Sequence, residues 1–135
     1  MKSILIAYGS TLAAFLGCDM VWLGIMASRF YRPLLGDMAL AVPRLSPAVV
    51  FYAIYPVGLL IFCVLPALNA KSPQSALLNG ALFGFFTYAT YDLTNQATLR
   101  NWPLQLTLVD VAWGTVLGAA ASFVGYWVAN RFAAA

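Results

Sequence analysis

The chain has 135 residues, of which 63% are hydrophobic and 8% charged, with a net charge of +3; soluble domains run at about 45–50% and about 25%. A gap that wide excludes a water-soluble globule and points to an integral membrane protein built as a single domain, residues 1–135. The basic side chains form no run, so the charge speaks for lipid headgroups and membrane orientation and excludes a nucleic-acid patch.

Met1 and Lys2 precede an apolar run over about 4–27. The run is longer than the apolar core of a signal peptide and has no convincing cleavage site before Asp19, so it reads as the first membrane span, for which ~20 residues suffice. Residues 28–45 are too polar to span. Their arginines (Arg29, Arg32, Arg44) and aromatics (Phe30, Tyr31) fit a segment lying along the interface, with Pro33, Gly36 and Pro43 breaking any long helix.

The second span covers about 47–68. Pro56 falls inside it and predicts a kink that frees a carbonyl near Tyr52. Ser72 or Ser75 caps the third span, about 76–96. Gly80 and Gly84 form a GxxxG pair there, which lets another backbone approach closely. The fourth span covers about 104–130, with Gly114, Gly118 and Ser122 as a second small-residue stripe. Trp102 and Trp127 read as interface anchors, and Cys18 and Cys63 as buried small hydrophobes. The fold class is therefore all-α, an integral membrane four-helix bundle.

Three acids lie inside these apolar runs: Asp19, Asp92 and Asp110. Spans joined by short loops alternate direction, so all three fall toward the leaflet that also holds residues 28–45 and the 98–103 loop. Arg29, Arg32, Arg44 and Arg100 lie on that side as possible counter-ions, and a slight lean of basic residues makes it cytoplasmic. An aspartate near the bilayer centre costs about 2.5–3.5 kcal/mol, so the three should face inward. Helical spacing sets Trp22 beside Asp19, Tyr88 beside Asp92 and Trp113 beside Asp110. The candidate ligand or proton site is Asp19, Trp22, Tyr88, Tyr91, Asp92, Asn95, Asp110 and Trp113. Asp19-xx-Trp22 also echoes Asp110-xx-Trp113, too short a match to establish a duplication. A plainer reading makes the same residues a hydrogen-bonded polar plug that fixes bundle register.

Together, Asp19-xx-Trp22, Tyr31, Tyr52, Tyr55-Pro56, the run Tyr88-Ala89-Thr90-Tyr91-Asp92-Leu93-Thr94-Asn95, Trp102-Pro103 and Asp110-xx-Trp113-Gly114 resemble a bacterial membrane family, domain of unknown function 2177. The resemblance covers nearly the whole chain. It implies a small four-span protein of the inner (cytoplasmic) membrane and carries no activity.

Three functions fit these residues. The first is a site that binds or transports a small or lipid-like ligand, with proton coupling through the acids. The second is an accessory subunit of a larger membrane complex, served by the two small-residue faces. The third is an intramembrane enzyme acting on a lipid or isoprenoid, with paired aspartates as acid and base. No HEXXH, serine-nucleophile or P-loop pattern supports a specific reaction, and the absence of His removes the commonest metal ligand and general base. Expected partners are membrane lipids and a homo-oligomer or larger complex, with no nucleic acid, cofactor or metal.

Overall fold

The apolar runs are helical throughout the computed structural model, which describes residues 1–133. In chain order the elements are α1 (Lys2–Met26), a π-turn (Ala27–Tyr31), α2 (Arg32–Leu35), a 3₁₀ turn (Gly36–Met38), α3 (Leu45–Leu59), a second π-turn (Leu60–Val64), α4 (Leu65–Ala70), α5 (Pro73–Thr98) and α6 (Leu104–Phe132). The chain is thus an all-α membrane bundle, and three of its helical stretches, Lys2–Met38, Leu45–Ala70 and Leu104–Phe132, are long and apolar enough to cross a bilayer. Large side chains point outward along them: Val21, Ile54 and Phe62 are each more than 60% exposed. In water that surface would aggregate; against lipid tails it costs nothing.

Each helix runs one to three residues beyond its sequence-based limits at one or both ends. The larger difference lies between residues 28 and 45. Pro33 does not break the helix, because the path stays helical to Met38 and turns only at Gly36, whose φ of +57° favours glycine. A local widening makes this possible. A proline lacks its N–H and crowds the carbonyl four residues back, here Arg29. The π-turn Ala27–Tyr31 shifts that carbonyl outward, and Pro33 takes the second position of α2. The second span repeats the device: the π-turn Leu60–Val64 precedes Pro66 at the second position of α4.

Pro56 lies inside α3. The carbonyl that finds an outside partner is that of Ala53, one residue past Tyr52, which accepts a hydrogen bond from the Tyr8 hydroxyl of α1 at 2.9 Å. Ser72 caps α5, its hydroxyl accepting from the Ser75 N–H at 3.1 Å.

The largest interface joins α5 to α6. Their small residues meet face to face: a Cβ on Gly80 would strike the Gly118 carbonyl and Ser122 Oγ, and one on Gly84 would strike the Gly114 carbonyl. The two stripes therefore fill each other inside one bundle, which removes the argument they offered for a partner complex. The pairs 80 with 118 and 84 with 114 also show that the two helices run antiparallel. α1 packs along the other side of α6, with the Thr11 side chain set against Gly125. Phe15, Tyr55, Leu59, Cys63, Leu117 and Ala121 fill the centre. Cys63 is buried as expected, but Cys18 is exposed, because it points away from this core.

Candidate functional site

Asp19, Asp92 and Asp110 line one cavity of about 140 Å³. With a 1.5 Å rise per residue, Asp92 lies about 9 Å from the end of α5 at Thr98, and Asp110 about 9 Å from the start of α6 at Leu104. Asp19 is about 10 Å from the end of α1 at Met26. The three acids thus share one level, less than two turns inside the same end of the bundle.

Two of the acids are fixed by neutral donors. Asp19 accepts from the Tyr52 hydroxyl of α3 at one oxygen and from the Trp113 indole N–H of α6, at 3.0 Å, at the other. Asp110 accepts from the Tyr31 hydroxyl at 2.7 Å, and that hydroxyl in turn accepts from the Trp22 indole at 3.0 Å. The echoed motifs are therefore crossed. The tryptophan of Asp110-xx-Trp113 serves Asp19, and the tryptophan of Asp19-xx-Trp22 serves Asp110 through Tyr31. Antiparallel packing of α1 on α6 produces this exchange, and it stacks the two indoles in parallel with centroids 4.3 Å apart and planes 4° from coplanar.

Asp92 differs from both. It is fully buried, and no hydroxyl, indole, amide or backbone N–H among the described residues donates to either carboxylate oxygen. The Asp110 carboxyl stands within hydrogen-bonding reach of it. Burying a polar group without a partner costs on the order of 1–3 kcal/mol, and more when it is charged. The fold thus gives Asp19 two fixed donors and Asp110 one, and gives Asp92 none. Gln96, one helical turn further along α5, likewise keeps a buried carbonyl oxygen without a partner.

Tyr88, Tyr91, Trp102 and Leu106 complete the wall with Leu23 and Leu35. The Tyr88 ring lies against Gly114, so that glycine serves the site as well as the α5–α6 contact. Tyr91 meets Trp102 edge to face at 5.8 Å, and the Trp102 indole donates to Thr107 at 3.1 Å. Trp102 is thus part of the cavity, unlike Trp127, which is exposed near the far end of α6. Asn95, expected at the site, does not line the cavity. None of the four arginines on this side lines it either; Arg32 donates instead to the Ala41 carbonyl at 3.2 Å. Among the described residues no three His, Cys, Asp or Glu side chains lie close enough to hold a metal ion, so the acids share a cavity without meeting at a point.

Tyr31 and Tyr52 hydrogen-bond the acids, and spacing alone did not assign them to the site. Tyr31, the last residue of the π-turn, reaches Asp110, and Tyr52, on the side of α3 turned toward α1, reaches Asp19.

A model of the predicted membrane protein family DUF2177 matches residues 4–127, nearly the whole chain. The chain belongs to this family. No curated protein and no solved structure matches it. In this DUF2177 chain the YDLTN run of residues 91–95 places Tyr91 and Asp92 in the cavity wall and leaves Leu93 and Thr94 outside. The two Asp-xx-Trp motifs supply the opposite walls.

Proposed function

We propose that this DUF2177 protein spans the bacterial inner membrane four times, with α5 as the fourth crossing segment, and uses the cavity to bind a small or lipid-like ligand through the ligand's hydrogen-bond donors. The observation that carries the reading is Asp92, buried against the Asp110 carboxyl with no hydroxyl, indole, amide or backbone donor of its own among the described residues. A register-fixing polar plug works only when its members satisfy one another, since a half-satisfied network is worse than an apolar core. Asp19, with a donor at each oxygen, meets that condition, and Asp92 does not. Intramembrane ionisable groups that face a bundle interior mark binding sites and ion pathways, and the Asp92–Asp110 pair, two carboxyls side by side, is where an incoming donor is drawn.

The enzyme reading has less to draw on. Asp19 and Asp110 each hold fixed donors, which leaves one free carboxylate where acid–base chemistry on a lipid needs a matched pair.

Thermal unfolding of the full chain in mild detergent, with and without butylammonium, tests the reading. A ligand present at a hundred times its dissociation constant stabilises the native state by about 2.7 kcal/mol, and the wild type is expected to show a rise of that order. Asp92→Asn is expected to show none. An equal rise in both proteins would remove Asp92 as the binding group.

A further inference from the structure

We infer that the ligand is a single-chain cationic amphiphile that enters sideways from the bilayer, with its ammonium head at Asp92 and Asp110 and its hydrocarbon chain in a groove between α3 and α5. This rests on the reading of the Asp92 cavity as a ligand site and gives that ligand a chemical class.

The groove has a volume of about 410 Å³ and is lined by Phe51, Tyr55, Thr87, Tyr88, Tyr91 and Asp110. It exists because α5 packs against the π-turn Leu60–Val64 and leaves the first half of α3 standing away. Tyr55 and Thr87 hydrogen-bond to each other at 2.8 Å, so their polar atoms are mutually satisfied and the wall they present is largely hydrocarbon. Tyr88, Tyr91 and Asp110 belong to both spaces, so the apolar groove runs directly into the acid-lined cavity.

Charge and shape define the head. Three carboxylates line the cavity and no lysine or arginine does. A phosphate or carboxylate head meets like charge there, whereas an ammonium supplies donors to the Asp92–Asp110 pair. The stacked indoles of Trp22 and Trp113, with Trp102, Tyr88 and Tyr91, surround that position with aromatic rings, which attract cations by their quadrupoles. A cavity of about 140 Å³ admits a small head.

Geometry defines the tail. A chain moving from lipid into the groove leaves one hydrocarbon environment for another, so the groove adds little affinity of its own. Its effect is to let the head reach a carboxylate about 9 Å inside the helix ends without drawing the chain through a polar space.

Competition against labelled butylammonium, with the full chain in nanodiscs, tests this. Dodecylammonium is expected to displace the label from the wild type and dodecanol is not. Filling the groove from either wall, with Thr87→Phe or Phe51→Trp, is expected to weaken dodecylammonium about tenfold or more relative to unlabelled butylammonium. Dodecanol competing as well as dodecylammonium would overturn the cationic class. An unchanged ratio in both filled variants would overturn the groove. Both of those results leave butylammonium binding at Asp92 standing, whereas a wild type that binds no label sinks the underlying reading as well.

Discussion

Gly84→Val is expected to leave almost no folded, monodisperse protein, while Gly17→Ala is expected to behave as wild type. Both glycines lie inside long helices of the bundle, so composition does not separate them. At Gly17 a Cβ meets nothing within 4 Å, and the substitution should gain a few tenths to about 1 kcal/mol from helix propensity. At Gly84 a Cβ overlaps the backbone carbonyl of Gly114, and a backbone cannot swing aside as a long side chain can. Overpacking of ordinary cores costs about 1–3 kcal/mol; forcing apart two helices along their closest seam should cost at least the upper end of that range. The displacement reaches the site as well, because Gly114 also seats the Tyr88 ring. Size-exclusion profiles and unfolding midpoints of the two variants check this, and a well-folded Gly84→Val would show that the α5–α6 seam tolerates separation.

Asp19→Leu is expected to destabilise the protein by roughly 2–4 kcal/mol. Among the described residues the carboxylate is the only side-chain hydrogen-bond partner of the Tyr52 hydroxyl and of the Trp113 indole. An apolar residue of similar size leaves two donors without acceptors at roughly 1–3 kcal/mol each, offset in part by the desolvation cost that departs with the acid. The indole stack between Trp22 and Trp113 loses one of its two anchors, so tryptophan emission should change together with the midpoint. A midpoint loss with unaltered emission would mean that the stack is held by packing alone.

How much of this was legible in the sequence follows from which quantities a helix repeat determines. Alternating spans and a fixed rise per residue bring Asp19, Asp92 and Asp110 to one level, and the three do line one cavity. Helical spacing likewise places Tyr88, Trp22 and Trp113 on the acid-bearing faces. Rotation and bending are less accessible. The roles of Tyr31 and Tyr52 depend on which side of its helix each ring leaves and on which helices are neighbours, and no residue pattern states either. Trp102 read as an interface anchor because a loop tryptophan is usually one, and its place in the cavity wall depends on how the 99–103 loop folds under α5. The two small-residue stripes were visible, but whether they served partners or each other depended on which helices are neighbours. The asymmetry among the acids lay furthest out of reach, since it depends on where four hydrogen bonds end.

That asymmetry makes a prediction of sign, and the unfolding midpoint of Asp92→Leu tests it most directly. Asp19→Leu removes an acceptor that two donors use; Asp92→Leu removes a buried carboxylate that no hydroxyl, indole or backbone donor uses among the described residues. The account predicts that Asp92→Leu unfolds later than wild type by about 1–3 kcal/mol and no longer binds butylammonium, which is the trade between stability and function expected of a binding site. A destabilised Asp92→Leu that still binds the probe would contradict it and would make Asp92 part of a polar plug.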